Sequence, residues 1–177
     1  FDLWGSCQDC ERWTLLTKNN YGHSTLSVNN SLFINNGQAT LTDFQSGKNP
    51  QATFDLTAVY GENIKSAKRT FLKDGPLSLV IEDQIELSEK TDLITWQLMT
   101  TADVKIVEGR AILMQNGKKL IVENQSHPDF DVSVVSLYPA PLELDKQIEN
   151  LKRLEIRIPA WTIKSGKTKI KVRLSGE

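Results

Sequence analysis

A regular alternation of apolar and polar residues near the end of the chain constrains its fold most strongly. Lys167–Leu174 places Ile170, Val172 and Leu174 between basic residues. Leu151–Ile158 alternates in a similar way between aliphatic and charged residues. A period of two puts successive side chains on opposite faces of a strand, so both segments predict half-buried β-strands.

Turn signals separate further segments of this kind. Asn116-Gly117 lies between two apolar runs, and both residues tolerate the positive φ of a type I′ hairpin turn. Asn35-Asn36-Gly37 predicts a second hairpin by the same reasoning. Extended segments are expected at Ser31–Ile34, Ala39–Phe44, Ala52–Leu56, Lys65–Lys73, Leu77–Leu87, Leu93–Thr100, Ala111–Met114, Lys118–Val122 and Asp131–Tyr138.

These segments together predict the fold class. Roughly a dozen short strands, with no repeat or linker between them, indicate an all-β protein that forms an antiparallel β-sandwich. Glu143–Asn150 gives the one helical pattern, which is long enough for one or two turns. We expect a single domain over residues 1–177.

Composition excludes several classes of protein. The net charge of −1 argues against general adhesion to nucleic acid or membranes. No apolar run approaches the ~18 residues that a membrane-spanning helix needs. The chain begins at Phe1 without a methionine, so we expect a fragment, and the missing signal peptide says nothing about secretion.

Cys7 and Cys10 form a Cys-Gln-Asp-Cys pair. A redox pair of this spacing needs a helix start in a βαβ setting, which the surrounding sequence lacks. A four-cysteine zinc site would lack two ligands. The spacing leaves two interpretations open, namely two thiols in a loop or one local disulfide.

His23, one of two histidines, stands at the entry of an alternating segment that continues through Leu26 and Val28. A histidine at the mouth of a strand can direct its ring off the sheet edge, where the ring can bind a metal ion or a substrate. Asn29-Asn30 predicts a turn after this strand. Taken alone, the position also fits a solvated histidine that caps a strand.

Several short segments around His23 occur in a characteristic order. The chain opens with Phe1-Asp2-Leu3-Trp4-Gly5, continues with Arg12-Trp13 and reaches Gly22-His23-Ser24-Thr25-Leu26. Further landmarks follow at Asp55–Tyr60, Lys68-Arg69 and Val80–Asp83. Up to about Thr100 the chain thereby resembles the C-terminal β-sandwich domain of the heparinase II/III-like polysaccharide lyases. That family commonly has tyrosine, proline and asparagine where this chain has Phe1, Trp4 and Ser24.

The resemblance implies a β-sandwich of the polysaccharide-lyase supersandwich type, at the C-terminal end of a larger lyase with an upstream helical toroid domain. It implies β-elimination on a uronic-acid-containing polysaccharide, such as a glycosaminoglycan, in the periplasm or outside the cell. The implied partners are the acidic polysaccharide and the toroid domain, with no nucleic acid and no membrane.

The resemblance also assigns Asp2 and His23 as two ligands of one divalent metal ion, expected to be zinc. The third ligand is then a histidine of a His-x-His motif upstream of residue 1. Zinc sites use at least three protein ligands, so we expect this chain alone to hold the ion weakly. Without the resemblance, the residues favour a frayed terminal carboxylate at Asp2 and a histidine that caps a strand at His23.

We expect no catalytic residue within this chain. β-Elimination needs a neutralised uronate carboxylate, a base near the adjacent proton, and a proton donor for the leaving oxygen. The family uses tyrosine and histidine for this, but Tyr21, Tyr60 and Tyr138 do not lie in a matching motif. The fragment is therefore expected to be inactive by itself. His127 and Asp129, in a His-Pro-Asp loop, stay unassigned.

Two other functions fit the sequence. A carbohydrate-binding module would present aromatic rings in a row, but Trp4, Trp13, Trp96 and Trp161 are scattered and Trp96 lies in a core-like pattern. A purely structural domain would need no site at all. The basic stretch from Leu151 to Glu177 fits either a contact with an anionic glycan or a solvated or edge strand.

Overall fold

The computed structural model describes residues 10–177, which form two antiparallel sheets. In chain order the strands are β1 (Leu26–Val28), β2 (Thr40–Gln45), β3 (Gln51–Asp55), β4 (Ile64–Lys73), β5 (Ser78–Leu87), β6 (Leu93–Thr100), β7 (Asp103–Val107), β8 (Arg110–Gln115), β9 (Lys118–Asn124), β10 (Ser133–Ser136), β11 (Lys152–Pro159) and β12 (Lys167–Gly176). The helical segments are α1 (Thr57–Tyr60) and the 3-10 helices Glu11–Thr14, Asn20–Gly22, Gly61–Asn63 and Ala160–Thr162. The predicted all-β antiparallel sandwich is confirmed.

The two sheets differ in size. The small sheet has the order β1-β6-β11-β10, and the large sheet has the order β2-β3-β4-β5-β12-β9-β8-β7. The two alternating segments that most constrain the fold become β11 and β12, one strand in each sheet. Because β12 lies between β5 and β9, the basic terminal strand is not an edge strand.

Alternate residues of the two sheets fill the space between them. Trp96 of β6, Ile156 of β11 and Val172 of β12 all belong to the buried core and are at most 1% exposed. Each large aliphatic side chain that leaves water in this way stabilises the fold by about 1.5–3 kcal/mol. The predicted core position of Trp96 is confirmed.

The other face of the small sheet is buried as well, although its side chains are polar. Ser27, Thr95, Gln97 and Glu155 alternate with core residues along their strands, and each is at most 3% exposed. Gln97 hydrogen bonds to the backbone of residues 20–23. The chain before β1 therefore lies over this face as a third layer, and that layer carries His23.

One of the two predicted hairpins is confirmed. β8 and β9 are joined by Asn116 and Gly117, whose φ angles are 52° and 72°. The other prediction is wrong, because Ser31–Ile34 forms no strand. Its backbone bonds to a side chain and to helix α1 instead of a neighbouring strand. The Asn20 side chain donates to the Ser31 carbonyl and accepts from the Phe33 amide, and the Ile34 amide donates to the Val59 carbonyl.

The helical prediction is also wrong, since Glu143–Asn150 is irregular. The Asp145 carboxylate accepts hydrogen bonds from the Leu142 and Leu16 amides, at 3.3 Å and 2.8 Å, and so offers the backbone an alternative to a helical turn. A helix forms instead at α1, which spans four residues. Within residues 10–177, no helix is long and apolar enough to cross a membrane.

Candidate functional site

His23 lies three residues before β1 and its side chain is exposed to solvent. It follows the 3-10 helix Asn20–Gly22 in an extended conformation, with φ −126° and ψ 153°. Asn19 caps that helix, because its side chain accepts a hydrogen bond from the Tyr21 amide at 2.9 Å. The structure thus places the imidazole at the mouth of a strand, as the sequence predicts. Asp2, the second predicted ligand, lies outside the described residues.

The small sheet holds the His23 segment from below. The Gln97 side-chain amide donates to the His23 carbonyl at 2.8 Å and also to the Asn20 carbonyl. The Arg153 guanidinium donates to the Tyr21 carbonyl at 2.9 Å. Arg153 is itself fixed by Glu155, with an N–O distance of 2.6 Å and side-chain exposures of 17% and 4%. Hydrogen bonds to charged donors are stronger than neutral ones, so this contact restrains the segment.

The large sheet reaches the same segment through a buried ion pair. Arg69 of β4 donates to both carboxylate oxygens of Asp83 of β5, at 2.7 Å and 2.9 Å. A third nitrogen of Arg69 donates to the Ser24 carbonyl at 3.4 Å. The Ser24 hydroxyl accepts a further hydrogen bond from the Met99 amide at 3.0 Å. Both sheets therefore hold the residues on either side of His23.

Two tyrosines lie near this segment, and both hydroxyls donate to backbone carbonyls. Tyr21 donates to Asn30, and Tyr60 donates to Leu26 at 3.3 Å. Burial raises the pKa of Tyr21, and the nearby Arg153 charge opposes the shift. Burial also raises the pKa of Tyr60 well above its ordinary range. Both hydroxyls are thus engaged with the backbone and hold their protons more firmly than a free tyrosine does.

An open groove of about 720 Å³ begins at the 3-10 helix that precedes His23. Asn20 forms part of its floor, and its walls carry a tryptophan ring, aliphatic side chains, amides and one lysine. The residues that define it here are Trp13, Lys18, Asn19, Leu32, Ile34 and Asn36. No carboxylate occurs among its described lining residues. The Arg12 guanidinium lies over the Trp13 ring, 4.5 Å from its centroid, and the Asn19 and Asn20 side chains bond to the protein backbone. The exposed Lys18 is the charged group among the described lining residues.

Within residues 10–177, no three histidine, cysteine, aspartate or glutamate side chains lie together as a metal site. His23 fits one ligand position, because its exposed imidazole stands on a segment that hydrogen bonds hold in place. Cys10 is disulfide-bonded, which favours the local-disulfide interpretation over two thiols. Cys7 lies outside the described residues.

The ring of the second histidine, His127, is hydrogen bonded to another part of the protein. The His127 ring bonds to the Thr168 hydroxyl at 2.9 Å, and the Asn124 side chain bonds to the loop backbone around it. Burial lowers the pKa of His127, although a backbone hydrogen bond and the charge of Asp129 oppose the shift. The ring therefore joins the loop to β12.

The basic terminal strand forms cross-strand ion pairs. Lys167 pairs with Glu86 at 3.1 Å and Lys169 pairs with Glu82 at 3.0 Å, all on the exposed face of the large sheet. Exposed pairs of this kind contribute little to stability, about 0–1 kcal/mol each. Because acidic neighbours largely balance these lysines, the structure favours the solvated-face interpretation.

The structure brings together residues that the sequence did not single out as site residues. Three of these residues are buried, namely Gln97, Glu155 and Arg69. Gln97 and Arg69 bond to the His23 segment, and Glu155 fixes Arg153. A polar residue within an otherwise apolar strand, as at Gln97, is the signal that marks such positions.

Comparisons with known proteins support the fold. No protein-family model matches the chain, and no curated protein matches it. A heparan sulfate lyase, HepC from Pedobacter heparinus, is 12% identical over 87% of this chain, with a TM-score of 0.64. A heparinase III gene product with methylated lysines is 9% identical over 98% of this chain, with a TM-score of 0.70. Another heparinase III structure is 13% identical over 93%, with a TM-score of 0.65.

The chain has the fold of a heparinase III domain. It spans about a quarter of the length of these structures, covering 24%, 26% and 24% of them respectively. The resemblance seen in the sequence is thereby confirmed for the fold.

Proposed function

We propose that this chain is the C-terminal β-sandwich domain of a polysaccharide lyase, and that it supplies two metal ligands, Asp2 and His23, and one wall of the substrate cleft. The lyase breaks a glycosidic bond by β-elimination at a uronic acid. The observation that carries the proposal is the exposed His23 imidazole, which stands on a segment fixed by both sheets. An open groove reaches Asn20, three residues before it. The shared heparinase III fold supports the proposal.

The groove explains how the chain contributes to substrate binding. The exposed Lys18 in its lining can bind a uronate or sulfate group. The absence of carboxylates among the described lining residues avoids repulsion of an acidic polymer. The chain thereby holds and orients the polysaccharide, while the base and the acid come from the upstream toroid domain.

Within this proposal His23, Asp2 and an upstream histidine hold one zinc ion. Bound zinc cross-links the elements that carry its ligands and supplies a fixed positive charge. The contribution of this chain is to fix the direction of the His23 Cα–Cβ bond, because Gln97 and Arg153 hold the backbone at and before His23. A small displacement of catalytic groups can cost ~100-fold in rate, so this rigidity is useful.

We also propose that the protein works in the periplasm or outside the cell. The disulfide at Cys10 supports this location, since disulfides persist in oxidising compartments. An acidic polysaccharide is too large to enter the cytoplasm without prior cleavage. A lyase that acts on it must therefore lie in the periplasm or outside the cell.

Lyase assays test the proposal. The longer protein and the 177-residue chain are each incubated with heparan sulfate, heparin, chondroitin sulfate and alginate. Unsaturated uronate products are followed by ultraviolet absorbance. The longer protein should cleave at least one polymer, and the isolated chain should stay at background because its proton-transfer residues are missing.

Each of three results contradicts the proposal. Turnover by the isolated chain places the catalytic residues within residues 1–177. If the longer protein binds these polymers but yields no unsaturated product, the chain belongs to a carbohydrate-binding protein. If the longer protein neither binds nor cleaves these polymers, the chain is a structural domain.

A further inference from the structure

The backbone around His23 has an unusual set of hydrogen-bond donors. Four of the five carbonyl oxygens from Asn20 to Ser24 accept hydrogen bonds from side chains of the two sheets. The donors are Gln97, Arg153 and Arg69. A solvent-exposed loop needs no such donors, because water satisfies its carbonyls.

These donors are costly groups to place beneath a loop. Gln97 is 2% exposed and Arg69 is 4% exposed. Each therefore gives up its bonds to water, and a buried polar group is tolerated when the protein replaces those bonds. The side-chain N–H groups of Gln97 donate to the carbonyls of Asn20 and His23 instead of to water.

Thr95 shows that burial on this face does not by itself require such bonds. It lies on β6 two positions before Gln97, points to the same face and is 2% exposed. Its hydroxyl, like that of the opposing Ser27, has no hydrogen-bond partner in the described part of the chain. The amide of Gln97 is thus directed at the His23 segment, whereas the neighbouring hydroxyls are only covered by the layer above.

We propose that Gln97 is a positioning residue for His23. Its side-chain amide holds the carbonyls before and at His23, and Arg153, fixed by Glu155, holds the Tyr21 carbonyl between them. Together they set the direction in which the imidazole leaves the small sheet. The part of this inference that concerns metal binding rests on the proposed function, whereas the part that concerns the backbone does not.

The test compares Gln97→Met with Thr95→Val in the 177-residue chain. Both changes remove a buried polar group from the same strand face and keep the approximate side-chain volume. Hydrogen exchange of the amides of residues 21–25 and the NMR resonances of the His23 ring are measured. Gln97→Met should accelerate exchange in this segment at least ~10-fold relative to β5 and should shift or broaden the His23 ring signals. Thr95→Val should leave both unchanged.

The inference is overturned if both variants give the same exchange rates and the same His23 ring signals. Arg153→Lys is a second test in case Gln97→Met does not fold. Lysine keeps the charge beside Glu155 but lacks the forked N–H groups that also reach Tyr21. It should accelerate exchange in the same segment, and an unchanged segment in this variant again overturns the inference.

Zinc titration separates this inference from the proposed function. If His23 is a ligand, Gln97→Met should raise the zinc concentration at which the His23 ring signals shift, because the segment that carries the ligand is then less preorganised. If His23→Ala leaves zinc binding unchanged, the ligand assignment fails. The exchange experiment still decides whether Gln97 positions the segment.

Discussion

Replacement of Asp83 by asparagine tests the ion pair that joins the large sheet to the His23 segment. The Arg69 and Asp83 side chains are 5% and 0% exposed, and two hydrogen bonds of 2.7 Å and 2.9 Å join them. Asparagine keeps the shape but leaves the Arg69 charge buried without a counter-ion. Breaking a buried pair in this way costs about 3–5 kcal/mol. Stability of a domain this size is about 5–15 kcal/mol, so the loss is a large share of the total.

Calorimetry and urea denaturation measure this loss. For a domain of this size each kcal/mol lowers the melting temperature by about 2–4 °C, so Asp83→Asn should lower it by roughly 6–20 °C. The double variant Arg69→Met/Asp83→Leu carries no buried charge and should recover most of the stability. A loss below about 1 kcal/mol for Asp83→Asn, or a double variant as unstable as the single one, refutes the reasoning.

Two further predictions concern the histidines. Zinc should bind the 177-residue chain weakly, because two ligands leave most of the coordination shell to water. Calorimetric titration should give a shallow isotherm, and His23→Ala should diminish it. Tight binding that survives this change contradicts the assignment of His23 as a ligand. Burial lowers the pKa of His127 below its usual 6.5, so the folded state favours the neutral ring. Its stabilising contribution is present above about pH 6.5 and is lost as the pH falls through the lower folded pKa. The melting temperature should thus fall more steeply between about pH 7 and pH 5 in the wild type than in His127→Gln, and equal slopes contradict the expectation.

The strands that the sequence predicted best are those with local signals. β11 and β12 alternate with a period of two, and Asn116-Gly117 specifies its own turn through two positive φ angles. β7 was missed although Glu108 and Gly109 join it to β8 with φ angles of 50° and 74°. Glutamate rarely adopts a positive φ, so this pair is a weaker turn signal than Asn-Gly.

The wrong predictions share a physical cause, which is competition from distant side chains. Ser31–Ile34 has the composition of a strand, but its backbone is bonded by Asn20 and by the Val59 carbonyl. Residues 143–150 have helical periodicity, but the Asp145 carboxylate bonds to the Leu16 amide, which is 129 positions away in the chain. No local pattern reports a contact over such a separation.

The candidate site was predictable in part. The position of His23 at the mouth of β1 follows from the alternation after it. The support beneath it does not, because Gln97, Arg153 and Arg69 come from three different strands that meet only in the folded sheets. In the sequence only Gln97 stands out as a polar position in an apolar strand, whereas Arg69 and Arg153 lie among other polar residues. None of the three shows in the sequence what it bonds to.

Substitution of His23 in the longer protein that we propose tests most directly the central claim that His23 is a metal ligand. His23→Ala and the matched control His127→Ala are compared for bound metal, melting temperature and turnover. His127 bonds to Thr168, away from the His23 segment, so its loss should leave metal content and turnover unchanged. Loss of one of three ligands in His23→Ala should lower metal occupancy and reduce turnover by up to ~100-fold. Full metal content with wild-type turnover in His23→Ala would contradict the account.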